Sequence, residues 1–210
     1  MNTQPKAVDL DELQTGDLIF IAVPTLLFRQ VAAATNSWTS HVGLVIREPD
    51  GDVYVYESAI PRSRRVSVSS FIRRSDRGRF EVRRPIDPLS PEEQLALGDE
   101  AKARMGIWYD LGFDYDGRGQ YCSKFVYECY LAATGREIGR LQSFRELLDE
   151  NPGVGLGFWR CWFAGFIPWE RRTVSPASQL NSAETRTVHL QNILYSILAL
   201  PQRIPQPMLR

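Results

Sequence analysis

Three cysteines, Cys122, Cys129 and Cys161, and two histidines, His41 and His189, are the residues of this 210-residue chain best suited to nucleophilic chemistry. They offer six thiol and imidazole pairings, and a useful pairing needs a thiol that is activated and a base within reach. Cys122 stands in Tyr121-Cys-Ser-Lys-Phe-Val-Tyr-Glu-Cys-Tyr, directly after the loop Asp116-Gly-Arg-Gly-Gln. The sequence predicts a helix beginning there, with Phe125, Val126, Cys129 and Ala133 on its apolar face, and ending at Gly135. A thiol in the first turn meets unpaired amides and the positive end of the helix dipole, which lower its pKa from about 8.5 towards roughly 3.5–7.5. Those amides can also hold an oxyanion, with Tyr121 and Gln120 as further donors and Ser123 and Lys124 as neighbours of the bound substrate. Cys129, two turns along, reads as a buried inert thiol, and Cys161, between Trp159 and Trp162, as packing.

His41 opens the β-branched run Val42 to Ile46, and Val53-Tyr-Val-Tyr returns after the turn Glu48-Pro49-Asp50-Gly51. With the turn centred on Pro49, residues whose numbers sum to 98 pair, so His41 faces Glu57, Gly43 faces Val55 and Val45 faces Val53. Opposed residues have Cβ atoms about 4.5–5.5 Å apart, so Glu57 can accept from one imidazole nitrogen and aim the other at a thiol. A slip of two residues leaves the pair diagonal. Gly43 leaves that face open to substrate or to the Cys122 helix. The alternative for His41 and Glu57 is a surface salt bridge at a strand end. His189 lies in a polar stretch with no comparable setting.

The elements that must carry these residues are legible from periodicity and caps. Gly16 and Asp17 precede a strand from Leu18 to Val23, and Leu27, Val31 and Ala34 share one face of a short helix. Ser90-Pro91-Glu92-Glu93 starts a helix running to about Met105. Phe80 to Pro85 reads as strand, as does the alternation around Val66 and Val68, whereas Ser143 to Asp149 reads as helix and 151–157 as loop. We expect a polar leader over 1–12, one folded domain over 13–175, and a polar, partly mobile tail over 176–210 with a helical interlude near 191–200.

Composition narrows the function classes. Hydrophobic residues at 43% and charged residues at 24% describe a globular chain and exclude a disordered one. Equal numbers of basic and acidic residues, 25 each, argue against bulk binding of nucleic acid. That balance hides nine arginines against Asp76 and Glu81 in residues 62–84, a local +7. The stretch reads as a solvated edge balanced by the acidic 87–100 segment, or else as an attractor for an anionic substrate or surface. An odd cysteine count points to reduced thiols and a cytoplasmic location, and the N-terminus has no secretory apolar core. No apolar run reaches the roughly 18 residues of a membrane span.

Taken together, Ser40-His-Val-Gly-Leu-Val-Ile, Tyr56-Glu-Ser, Tyr109-Asp-Leu-Gly-Phe-Asp and Tyr121-Cys-Ser-Lys-Phe-Val-Tyr resemble the circularly permuted papain-like amidases of the YaeF/YiiX group, including its YebB-like bacterial members. The likeness spans about residues 13–175 and includes Ile167-Pro-Trp-Glu-Arg. It implies a permuted papain-like (NlpC-type) α+β fold, with a small antiparallel sheet or barrel packed on a helix that bears the cysteine. It implies amide hydrolysis with Cys122 as nucleophile, His41 as base and Glu57 as third member, with no metal or organic cofactor, on small peptide or cell-wall-peptide-like substrates. Lys124 departs from the Glu often found in the group. Two other functions stay open: a thiol acyltransferase or lipase like lecithin:retinol acyltransferase, whose third residue is typically histidine, and a ligand-binding module that keeps the cleft without catalysis.

Overall fold

The computed structural model describes residues 10–191, so residues 1–9 of the expected leader and all of the helical interlude beyond Gln191 lie outside it. β1 (Leu18–Ile21) follows the turn at Gly16 and is buried throughout. α1 (Leu26–Ala34) turns Phe28 and Ala34 inward. β2 (His41–Arg47) and β3 (Val53–Glu57) form the expected hairpin, and β4 (Arg64–Ser67) adds to β3. The chain then departs from the expected strand alternation at Val68. Ser67 accepts a hydrogen bond from the Ser70 amide and so caps α2 (Val68–Ile72), which buries Val68 and Phe71.

β5 (Phe80–Pro85) leads to α3 (Pro91–Ala103), whose start is a capping box of Ser90 and Glu93. α4 (Cys122–Thr134) ends at Gly135, left-handed at φ 70°, as the sequence predicts. β6 (Leu141–Ser143), α5 (Phe144–Asp149), α6 (Gly157–Trp162) and β7 (Arg172–Val174) follow. Part of the expected tail is folded: α7 (Pro176–Leu180) and β8 (Thr185–Gln191) belong to the same body. β8 completes a six-stranded antiparallel sheet of order β4-β3-β2-β1-β5-β8, and β6 and β7 pair separately. None of the helices among the described residues is long and apolar enough to cross a membrane.

β2 is buried on both faces because two different layers cover it. Val42 and Leu44 join Leu18 and Phe20 against Phe125, Val126 and Cys129 of α4 and Leu97 and Ala101 of α3. Each fully buried Phe or Val there contributes about 1.5–3 kcal/mol, which seats the cysteine helix on the sheet. Val45, Val55, Ile19 and Val82 face the other way, against Val68 and Phe71.

The arginine stretch is tied down locally and not by the acidic 87–100 segment. Arg64 and Arg74 pair with Glu57, Arg65 with Glu48, Arg83 with Glu81 and Arg84 with Asp17, and Arg62 and Arg79 lie over Trp108 and Trp38.

Candidate active site

The hairpin register decides how the histidine meets its carboxylate. Val45 pairs with Val55 and Leu44 with Tyr56, so partner numbers sum to 100 and not 98. Glu48 donates to Asp52 at 2.8 Å and accepts from Gly51 at 2.9 Å, and Gly51 is left-handed at φ 92°. That three-residue loop, a turn plus one left-handed residue, moves the centre from Pro49 to Asp50. His41 and Glu57 are therefore diagonal neighbours on one face. Their side chains still meet, at 2.6 Å between Nε2 and Oε2, and both are buried.

Gly43 does not leave the face open to substrate or to α4. A Cβ there would lie 2.3 Å from Val55 Cγ1 and 2.7 Å from Phe71 Cε2, so the missing side chain makes room for Phe71. Phe71 stacks on the His41 ring at 5.5 Å, and Phe28 of α1 meets the same ring edge-on at 5.7 Å. The imidazole is held between them with only its orientation toward Glu57 and Cys122 satisfied.

Glu57 accepts from three donors: His41, Arg64 Nε at 3.1 Å and Arg74 Nη2 at 2.7 Å. Burial pushes its carboxyl up, but the hydrogen bonds and charges of His41 and Arg74 outweigh that and hold it at about 2. An ionised carboxylate only accepts, so His41 Nε2 carries the proton of that bond and Nδ1 is the nitrogen free for chemistry. Apart from the neighbouring Cys122 sulfur, Nδ1 has no hydrogen-bond partner.

Cys122 is the first residue of α4, after Tyr121 in extended conformation with no side-chain cap. Burial pushes its thiol up, and His41 together with the Val42 and Ser123 amides more than reverses this, so the thiol pKa is lowered. The converse holds for His41: burial lowers its pKa, and the Cys122 charge and Glu57 raise it to about 9. Each group thus favours the charged form of the other: His41 lowers the thiol and the Cys122 charge raises the imidazole. Cys129 behaves as expected, buried and pushed up to about 12, whereas Cys161 is exposed and not packed between the tryptophans.

Two consequences follow for pH. Alkylation of Cys122 rises as the thiol ionises, with a midpoint below the roughly 8.5 of a free cysteine. Any turnover that needs the imidazolium proton falls as pH passes His41's value of about 9. A stopped-flow alkylation profile and a steady-state profile measure the two limbs; a midpoint at the free-thiol value would contradict the lowered thiol pKa.

The other expected substrate contacts are only partly at the site. Tyr121 and Ser123 line the pocket beside Cys122, but the Tyr121 hydroxyl is engaged by Thr173 at 3.0 Å and the Val174 amide at 3.2 Å. Ser123 donates to the Val174 carbonyl at 2.7 Å. Gln120 gives its amide to Glu128 at 2.5 Å, and Lys124 donates to the carbonyls of Gly117 at 2.6 Å and Gly119 at 2.9 Å. Lys124 thus acts as a tethered cation clasping the loop ahead of α4.

Tyr109 is the residue that sequence reasoning did not place. A parallel bridge of Tyr109 to Gln120 lays it beside the start of α4, and its enclosed hydroxyl has no partner apart from the Cys122 sulfur. Burial and the Cys122 charge push its pKa well up, so it stays an O–H donor. The sequence carries Tyr109 only as the first residue of Tyr109-Asp-Leu-Gly-Phe-Asp and gives it no role, because the bridge to Gln120 joins two irregular segments.

Cys122, Tyr109 and Ser40 open onto a pocket of about 640 Å³, its open mouth included, walled by α1, α5, α6 and the 173–176 strand end. None of the described residues lining it is charged. Among the described residues, no three His, Cys, Asp or Glu side chains converge as a metal set would require.

Comparison with known proteins identifies the family and the fold. A family model described as permuted papain-like amidase enzyme, YaeF/YiiX, C92 family matches residues 12–189. The uncharacterized protein YiiX of Escherichia coli (strain K12) is 32% identical over 184 residues, 87% of this chain and 89% of its own. The crystal structure of metalloprotein yiiX from Escherichia coli O157:H7 superposes with a TM-score of 0.78 at 30% identity, over 85% of this chain and 97% of that one. With its cysteine helix packed on an antiparallel sheet and matched over most of its length, the chain belongs to the C92 family of permuted papain-like amidases.

Proposed function

We propose that this protein hydrolyses amides of apolar acyl groups through a thioacyl-enzyme, with Cys122 as nucleophile, His41 as acid and base, and Glu57 as the carboxylate that orients His41. The observation that carries this reading is the buried set of Cys122, His41 and Glu57, with His41 Nε2 2.6 Å from Glu57 Oε2 and Cys122 lining a pocket that has no Asp, Glu, Lys or Arg in its wall. The Cys122 thiolate attacks the amide carbon, and the carbonyl electron pair moves onto oxygen. His41 Nδ1 then gives its proton to the departing amine, the C–N bond breaks and a thioester remains. Water loses a proton to His41, attacks the thioester, and the acid leaves as the thiolate is restored.

The oxyanion needs donors that are not already committed. Gln120 and Tyr121 are engaged elsewhere, so Tyr109 and the first amides of α4 take this role. Tyr109→Phe lowers kcat by about 10²–10³ with little change in KM, the expected cost of one oxyanion donor. Steady-state kinetics check it; an unchanged kcat would remove Tyr109 from the mechanism.

Pocket chemistry separates the substrate classes. A cell-wall-type peptide carries carboxylates and ammonium groups that would be buried here without partners, at high cost. An aliphatic or aromatic acyl group fits. Across a series of N-acyl anilides, kcat/KM should rise about fourfold per added methylene until the pocket is full, the equivalent of ~0.8 kcal/mol each. Faster turnover of a charged dipeptide anilide would overturn the assignment.

The same apolar pocket favours a second reading, transfer of the acyl group to an acceptor other than water. Product analysis with an added amine or alcohol distinguishes the two: free acid as the main product supports hydrolysis.

A further inference from the structure

The wall of this pocket holds a hydrogen-bond donor that the chemistry does not use. Trp159 of α6 lines the pocket at 7% exposure, and its Nε1 is buried with no hydrogen-bond partner. Its surroundings are rings: Phe158 edge-on at 5.1 Å, Phe113 edge-on at 6.2 Å and Phe163 stacked at 6.2 Å. Ring faces are weak acceptors, and a buried donor left unmade costs about 1–3 kcal/mol. Such groups are few in native interiors. Trp162, one turn on, shows the ordinary outcome, giving its Nε1 proton to the Leu111 carbonyl at 2.9 Å.

The rest of the lining is satisfied. Side-chain hydroxyls of Thr35, Ser40, Tyr121, Ser123, Thr173 and Ser175 all have protein partners. Among the described residues, the Tyr109 hydroxyl at the reacting end has only the Cys122 sulfur, and the Trp159 indole is the side-chain polar group of the lining left without a partner. Phe113 lies between them, its centroid 6.4 Å from Tyr109 and 6.2 Å from Trp159. The indole thus belongs to the same lining as Cys122 and is joined to the Tyr109 ring through Phe113.

We propose that Trp159 is a specificity-determining donor that reads an oxygen, carbonyl or hydroxyl, carried on the acyl chain several bonds beyond the scissile carbonyl. This rests on the assignment of the pocket to an apolar acyl group. A plain chain leaves the indole unpaired, and a chain with its oxygen at another position buries that oxygen without a donor. Both are discriminated against, since a site built around a hydrogen bond rejects ligands that cannot make it.

The test uses the Cys122→Ala protein, which can bind without turnover. It is titrated calorimetrically with medium-chain saturated primary amides, plain or bearing one oxo or one hydroxyl group at successive positions. One position should bind about tenfold or more tighter than the plain chain, equivalent to ~1.4 kcal/mol. The oxo and hydroxyl arms identify which oxygen is preferred. Adding Trp159→Phe should bring the ratio of that amide to the plain one down to about one, a comparison internal to the variant. In ¹⁵N-labelled Cys122→Ala protein, the Trp159 indole N–H resonance should move downfield with the preferred amide only. Plain amides that bind with no oxygenated position favoured would overturn the role of Trp159 alone, as would a preference that survives Trp159→Phe. Failure of every amide to bind would overturn the acyl pocket and the inference together.

Discussion

Replacing Cys122 with serine should reduce amide hydrolysis by about 10⁴-fold or more, the scale on which loss of a nucleophile is felt when the residues act as a unit. Serine is close in size, so the buried first turn of α4 and its packing on β2 are retained. What is lost is the ionised sulfur. The His41 charge and the Val42 and Ser123 amides lower the pKa of a thiol, and a hydroxyl starts too high for the same groups to ionise it. Labelling by an electrophilic thiol probe at mildly acidic pH should fall in parallel. Cys161 is exposed and supplies a background, so the comparison is made with Cys161→Ser in both proteins. Cys129 is buried and pushed up to about 12, so it stays silent. Retained turnover in Cys122→Ser, or undiminished labelling, would show that the nucleophile lies elsewhere.

The second large effect is expected at Glu57. Glu57→Gln keeps the shape but removes the charge that faces His41 Nε2 at 2.6 Å. A glutamine turned by Arg64 and Arg74 can still offer its carbonyl, and one turned the other way forces the imidazole into the wrong tautomer at Cys122. Loss of the orienting carboxylate in a triad lowers kcat by up to about 10⁴, and we expect ~10²–10⁴ here.

Two further readouts separate this from simple damage to the fold. The alkaline limb, set by His41 at about 9, should move to lower pH because one of the groups raising His41 is gone. Stability should change in a defined window. Glu57 has its native pKa lowered from 4.5 to about 2, so its stabilising contribution is present above the unfolded value and is lost as pH falls from 4.5 through about 2. Glu57→Gln therefore flattens the acid limb of the unfolding curve. Arg64 and Arg74 are partly exposed, so leaving them without an ion partner costs little. A variant with kcat within a few-fold of the parent and an unmoved alkaline limb would remove Glu57 from the site.

Much of this site is readable from local pattern. The first turn of α4 follows from a loop running into an apolar helical face, and its end from Gly135 in the left-handed region. Ser90, Pro91 and Glu93 announce α3 because a capping box is a local device. The face shared by His41 and Glu57 follows from an even register, since partner numbers summing to 98 or to 100 both keep two odd-numbered residues on one face. Parity survived the change of register; the opposed pairing did not. Turn residues alone do not say whether the three-residue loop is 48–50 or 49–51, and the left-handed Gly51 as its last residue sets the second.

Gly43 shows the same limit. Its small size is a sequence fact, but whether substrate, α4 or Phe71 fills the space depends on where α2 lands, and α2 was read as strand because serines and valines alternate there. Tyr109, Trp159 and β8 were missed for a related reason: each acquires its role through contact with a segment remote in sequence.

The amino-acid sequence by itself determined the chemistry on offer: one thiol at a helix start, one imidazole at a strand start, one carboxylate on the imidazole's face. These follow from interactions within a turn or two of chain, which caps, parity and periodicity encode. The tertiary structure alone decided which nitrogen of His41 faces the sulfur, that His41 and Arg74 hold Glu57 ionised, and that no Asp, Glu, Lys or Arg lines the cleft. Those outcomes depend on burial and on the electrostatics of groups far apart in the chain, and neither is set until the helices and the sheet have packed.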